Sequence, residues 1–152
     1  MFSSTAIDDV AESDVEHLSD ARIREFLTDR GVGVLGLPAE EAPYLLPMSF
    51  GYDGEGALYF VFLLFGVESR KETLSERAGR ARFLVYAAES IHEWQSVSLL
   101  GRVEAVDDDG WGALRDAMEN AWHPSLFSAA VPMRGIRGYR FRIEEWTGIA
   151  SG

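Results

Sequence analysis

Apolar residues recur at helical spacing once near the start of the chain and then give way to a succession of strand-like runs. Ile23, Phe26 and Leu27 stand at i, i+3 and i+4 behind Ser19, which predicts a helix over residues 20–30, capped by Ser19 and stopped at Gly31. Extended segments follow at 32–37, at 44–52 around Pro47, and at 58–65, where the run is almost continuously apolar. Asp53-Gly54-Glu55-Gly56 has the composition of a hairpin turn between the second and third of these. A short helix is predicted over 69–78, then strands over 82–88 and 96–106. Asp107-Asp108-Asp109 opens an amphipathic helix over 110–122, with Trp111, Leu114, Met118 and Trp122 along one side. Residues 123–133 carry two prolines and read as irregular, and 136–149 alternates as a final strand. Many closely spaced strands and few helices predict an α+β, mainly β domain built on a closed or partly closed antiparallel barrel. Residues 1–18, with Asp8, Asp9, Glu12 and Asp14 and few large apolar side chains, read as an acidic, flexible leader. Residues 19–152 then form one domain, since no repeat, low-complexity tract or linker divides them.

Composition narrows the function. Hydrophobic residues are 47% of the chain, enough for a substantial core. No apolar run reaches the ~18 residues that span a bilayer, and the first residues lack the basic and apolar regions of a signal peptide, so a cytoplasmic location with no membrane contact is expected. With no cysteine, disulfides, thiol catalysis and thiolate metal sites are excluded together. The formal net charge of −11 argues against nucleic acid as a partner, because that affinity rests on clustered cations. Lys71 is the sole lysine, every other basic residue being arginine. Acid excess with almost no lysine favours adaptation to concentrated salt (a halophilic protein) over an ordinary acidic one. At ~1 M salt the Debye length is about 3 Å, so an anionic ligand would have to be held by short direct contacts.

Several signals lead nowhere. Gly31-Val32-Gly33-Val34-Leu35-Gly36 matches the dinucleotide-binding pattern by letter, but a helix precedes it and Leu37-Pro38 follows where a helix should begin. His17, His92 and His123 share no ligand spacing, so no metal site is assigned. No serine lies in a nucleophile elbow. The helix start at Ser69-Arg70-Lys71-Glu72 is more informative. Ser69 and Glu72 have capping-box spacing, which puts two cations in a first turn where the helix dipole is already positive. That placement suits an anion shared with the free N–H groups, as helix N-termini hold phosphate; alternatively the two cations neutralise Glu68, Glu72 and Glu76 on a solvated turn.

The ordered set Val34-Leu35-Gly36-Leu37, Leu46-Pro47-Met48-Ser49-Phe50, Tyr52-Asp53-Gly54, Leu58-Tyr59-Phe60, Ser69-Arg70-Lys71, Trp94-Gln95-Ser96-Val97 and Gly101 resembles the FMN-binding split-barrel family, the family of pyridoxamine 5′-phosphate oxidase. The resemblance covers about residues 19–106, with a weaker match in the last strand. It implies a six-stranded antiparallel split β-barrel with flanking helices, a homodimer, and flavin mononucleotide (FMN) at the subunit interface. Ser69, Arg70 and Lys71 match the phosphate-binding segment. Pro47, Met48, Ser49 and Phe50 match the strand bordering the isoalloxazine ring, Val61 and Phe62 the adjoining strand, and Gln95 and Ser96 a later strand that supplies polar contacts. The residues themselves offer what a flavin needs: an anion cradle at the helix start, aromatic side chains (Phe50, Phe60, Phe62, Trp94) for a flat slot or for the core, and polar groups at Ser49, Gln95 and Ser96.

Two departures bear on activity. Val61-Phe62-Leu63-Leu64-Phe65 lacks the hydroxyl or histidine that many relatives carry near the phosphate, and Tyr139-Arg140-Phe141-Arg142 lacks the Arg-x-His pattern of pyridoxamine phosphate oxidation. The resemblance therefore implies a flavin-dependent oxidoreductase acting on an unidentified small molecule rather than on a B6 vitamer. The alternatives are a non-enzymatic flavin carrier, or a split barrel using a deazaflavin or haem, with His92 the residue to watch for haem. No side chain stands out as a general acid or base, and no catalytic residue is assigned.

Overall fold

The computed structural model describes residues 15–63, 79–120 and 136–152. Its elements are β1 (Val15–His17), α1 (Asp20–Asp29), β2 (Val32–Leu37), β3 (Tyr44–Ser49), β4 (Gly51–Tyr52), β5 (Ala57–Leu63), β6 (Ala81–Ser90), β7 (Glu93–Ala105), α2 (Trp111–Ala117) and β8 (Ile136–Ser151). Single turns of 3₁₀ helix, Asp108–Gly110 and Met118–Asn120, flank α2.

Local chemistry sets several of these boundaries. Ser19 is extended and its hydroxyl accepts the Arg22 N–H, starting α1, whose Ile23, Phe26 and Leu27 are buried. The expected glycine stop is not a left-handed cap. The helix ends at Arg30 in extended backbone, and the Gly31 carbonyl accepts the Phe50 N–H at 2.9 Å. That bond takes Phe50 out of the ladder and divides the single strand expected over 44–52 into β3 and β4. In the β4–β5 turn, Gly54 has φ of 83°, and Asp53 Oδ1 accepts the N–H groups of Glu55, Gly56 and Ala57. The Tyr52 hydroxyl adds a bond to the Glu55 carbonyl at 3.1 Å. The helix expected over 110–122 is shorter and carries 3₁₀ turns at both ends; residues 121 and 122 lie outside the described residues, as does the helix expected over 69–78.

The strands form one antiparallel sheet in the order β3-β2-β6-β7-β8-β5-β4. β8 organises it. One edge of β8 pairs with β7; the other pairs with β5 through residues 136–142 and with β1 through 149–151. Curling of the sheet brings Leu35, Phe60, Phe83, Val97 and Phe141 from five strands into one core, closed at one end by α1, and the architecture is a split barrel. Phe83 is central: its ring meets Phe50 edge-on at 5.3 Å, stacks on Phe60 at 6.2 Å and tilts against Phe141 at 5.9 Å. A second cluster lies outside β5. There Ala57, Tyr59 and Val61 meet Trp111, Leu114 and Met118, so β5 is buried on both faces while Leu58 and Phe60 point inward.

The strand count differs from the expected six. Among the described residues there are eight strands, because β4 is split off by Phe50 and because Val15–His17, expected in the leader, pairs with the end of β8. The Leu18 N–H continues that pairing onto the Gly148 carbonyl at 2.8 Å. Sheet pairing is thus present at Val15–His17, ahead of the predicted domain boundary at 19. The glycines of the false dinucleotide pattern lie in β2. A Cβ at Gly33 would stand 2.4 Å from the Phe83 ring and 2.7 Å from the Leu84 carbonyl oxygen, so the strand approaches β6 closely only because it has none.

Candidate functional site

The outer face of β3, β2, β6, β7 and β8 is covered by neither helix of the described residues. Register fixes what it displays, because residues opposite one another in a ladder point the same way. One row runs Leu45, Gly36, Arg82, Leu100, Glu145. The next runs Pro47, Val34, Leu84, Ser98, Thr147. In the third, Ser49 opposes Val32 on one side of the sheet, while Tyr86, Ser96 and Ile149 oppose one another on the other. Leu45 is 65% exposed, Tyr86 57%, Val32 48% and Leu84 38%. Apart from Ser49 and Arg82, the face is apolar over β3, β2 and β6, and it bears hydroxyls over β7. Among these positions on β3, β2, β6 and β7 there is no acid.

Period-two alternation sorts the residues expected at a cofactor site. Pro47 and Ser49 belong to this outer face, whereas Met48 packs against the interior core. Phe50 is fully buried against Phe83 and Phe60 is fully buried beside it, so both rings are core and neither lines a slot. Val61 lies beneath α2, packed with Trp111, Leu114 and Met118 on the face of β5 turned away from the barrel core. Phe62 is placed only through its backbone, paired with Arg137. Ser96 points to the outer face, but its neighbour Gln95 points the other way. Ser69, Arg70 and Lys71 lie outside the described residues. Val32, Val34, Leu84, Tyr86 and Ser98 were not among the residues expected at a cofactor site. For Val32, Leu84 and Tyr86 the signal is an apolar side chain at a strand position that alternation assigns to solvent.

Gln95 instead lines a cleft of about 320 Å³ between α1 and the β6–β7 hairpin, together with Arg22, Arg30, His92 and Trp94. Trp94 is half-buried, and its backbone N–H donates to the Ser151 hydroxyl at 3.1 Å. Arg30 stacks over the Phe26 ring at 5.1 Å. The glutamates Glu16, Glu89 and Glu93 share the cleft, so its charges are mixed. Beside the outer face, Glu144 is held by Arg80 at 3.1 Å and Arg102 at 3.6 Å. The Arg80 hydrogen bond, more than the Coulomb field of either guanidinium, keeps the Glu144 carboxyl below the usual carboxylate range. Among the described residues no group of three His, Cys, Asp or Glu side chains is placed to hold a metal ion, and no helix is long and apolar enough to cross a membrane.

The family model described as pyridoxamine 5′-phosphate oxidase matches residues 19–150, most of the chain. The chain belongs to the pyridoxamine 5′-phosphate oxidase family. Solved structures resemble this family member along nearly its full length. A FAD-binding protein from Mesorhizobium loti is 24% identical over 91% of this chain and 99% of its own, with a TM-score of 0.70. A FAD and heme binding protein from Mycobacterium smegmatis is 18% identical over 88% of this chain and 71% of its own, with a TM-score of 0.69. A FAD binding protein from the same organism is 15% identical over 90% and 99%, with a TM-score of 0.63. At these identities the likeness is one of fold. No curated protein matches the sequence.

Proposed function

We propose that this family member is a cytoplasmic, FMN-dependent oxidoreductase that works as a homodimer, its outer sheet faces packed together with the flavin between them. The observation that carries the reading is the uncovered face itself: an apolar surface across Val32, Val34, Leu84 and Tyr86, bordered by the hydroxyls of Ser49, Ser96 and Ser98. A flavin ring is flat and apolar with polar heteroatoms along its edges, and this face has that combination. The phosphate falls to Ser69, Arg70 and Lys71, where a helix start and two cations coincide in the sequence. Flavin binding by fold relatives supports the cofactor class, and the choice of FMN follows the sequence resemblance. A bound flavin would supply hydride or electron transfer, while the chain's own residues would orient the ring and exclude water from one side of it.

The test is the absorbance spectrum of the protein purified in concentrated salt, followed by titration of stripped protein with FMN, FAD and riboflavin. FMN binding tighter than riboflavin, with a dimeric mass by light scattering, is the expected result. Colourless protein that takes up none of the three overturns the reading, and a Soret band would point to haem instead. Lys71→Ala should weaken FMN binding by about 1.5–3 kcal/mol, or roughly 10- to 150-fold in Kd, and leave riboflavin affinity unchanged. Equal losses for the two flavins would remove the phosphate contact. Flavin reduction by reduced nicotinamide, with turnover, distinguishes an enzyme from a carrier.

A further inference from the structure

At the end of the outer face, beside Leu45, Arg82 and Leu100, the surface falls into a cleft of about 420 Å³. That is within the ~300–1,000 Å³ range of small-molecule sites. Its walls are Pro38, Pro43, Leu45, Ala81 and Leu100, with Gly36 in β2 and the arginines Arg80 and Arg82 completing the lining. The two guanidiniums differ. Arg80 is committed to Glu144, whereas Arg82 has no ion-pair partner among the described residues.

Gly36 adds an independent observation. A Cβ there would meet Leu45 Cδ2 at 3.4 Å and the Arg82 carbonyl oxygen at 3.7 Å, ordinary contact distances. Unlike Gly33, three residues earlier, Gly36 is required neither by a close approach nor by a left-handed backbone. What its missing side chain does is leave the hollow open between Leu45 and Arg82, its cross-strand neighbours.

We infer that this cleft binds a small apolar organic anion, an aryl or alkyl carboxylate, with its hydrocarbon part against Leu45, Leu100 and the two prolines and its carboxylate on Arg82. The hydrocarbon lining disfavours a fully polar anion, which would lose hydration over most of its surface. The Arg82 guanidinium in turn favours an anionic ligand over a neutral isostere, because charge-assisted bonds to a carboxylate are the stronger kind. If the adjoining face holds flavin, such a molecule sits beside the cofactor and names the substrate class; that last step rests on the proposed function, whereas the binding site does not.

The probes are naphthoate and its neutral analogue naphthamide, titrated by calorimetry into the full-length protein with and without saturating FMN. Naphthoate should bind at least about tenfold more tightly than naphthamide, and Arg82→Gln should erase that difference while leaving naphthamide affinity in place. Gly36→Leu, checked for folding by circular dichroism, should abolish binding of both. No binding of either probe, equal binding of the two, or an unchanged preference in Arg82→Gln overturns the inference. So does naphthoate-driven dissociation of a dimer, which would make the hollow part of a contact between two copies. Naphthoate failing while FMN still binds refutes this site alone, and FMN failing while naphthoate binds refutes the flavin reading alone.

Discussion

Gly51 carries the sharpest structural prediction. It sits in β4, fully buried, where the chain passes beneath the end of α2. A Cβ added there would lie 1.9 Å from the Ala117 carbonyl oxygen, 2.3 Å from its carbon and 2.7 Å from Met118 Cα. All three atoms are backbone, so no rotamer change can relieve Gly51→Ala; α2 and its 3₁₀ extension must retreat by about 1 Å or more. Overpacking of this kind costs about 1–3 kcal/mol. The retreat also loosens Trp111, Leu114 and Met118 from Ala57, Tyr59 and Val61, and the burial of one such side chain is worth about 1.5–3 kcal/mol. The expected loss is about 3–5 kcal/mol, which for a chain of this length lowers Tm by on the order of 10 °C. Gly112→Ala is the internal control. It lies in α2 itself with nothing within 4 Å of its Cβ position, so alanine should be neutral or stabilising by up to about 1 kcal/mol. Thermal unfolding followed by circular dichroism in matched salt measures both. A Gly51→Ala stability within about 0.5 kcal/mol of the parent would refute the packing of α2 against β4.

Three further substitutions test other parts of the molecule. Ser96→Ala should weaken FMN binding several-fold while Gln95→Ala does not, since the two side chains leave β7 on opposite faces; equal effects in a flavin titration would remove the outer face as the ring's site. Tyr52 is held above the ordinary phenol range, chiefly by burial, so its share of stability is intact below about pH 10 and is lost as pH rises through the folded value; Tyr52→Phe should flatten the alkaline fall in Tm, and an unchanged slope would refute the assignment. Trp146→Phe removes the indole bond to Asp20 Oδ1 at 2.9 Å and weakens the stacking of Arg24 at 5.1 Å, costing about 1 kcal/mol in a urea unfolding curve, and a neutral result would show that this exposed clasp of α1 to β8 contributes nothing.

The sequence was legible where short-range chemistry decides structure. Ser19 and the spacing of Ile23, Phe26 and Leu27 located α1, and Asp53-Gly54 located a turn whose hydrogen bonds are all local. The bounds of β2 follow directly from its apolar run. What escaped was set by partners distant in sequence. β1 exists because the end of β8 offers a free edge, and β3 stops because the Phe50 N–H turns to Gly31. The candidate site divides the same way. Motif order grouped Met48 with Ser49 and Gln95 with Ser96, but adjacent strand residues face opposite sides, and only the sheet register says which of each pair shares a surface.

Register also exposes a distribution of charge that linear reading hides. With 25 acidic residues among 152, a strand face left in water should carry some of them, as β7 and β8 do elsewhere at Glu93, Glu104 and Glu144. Across the outward positions of β3, β2, β6 and β7 that make the three rows there is no carboxylate, only apolar groups, hydroxyls and Arg82; the rows meet an acid only on β8, at Glu145. Exposed apolar residues scattered singly would mean little; a contiguous set from which the commonest charge of the chain is excluded is a surface built to be covered. A strongly acidic protein would gain solubility from carboxylates at these positions, so their absence reflects a competing demand. A carboxylate under a flavin ring or between two packed sheets would be stripped of water without a partner, which costs far more than any solubility it adds. Leu84→Glu therefore separates the demands: it should leave thermal stability of the isolated chain nearly unchanged and abolish both dimer and flavin uptake, whereas a coloured, dimeric Leu84→Glu protein would show that nothing covers this face.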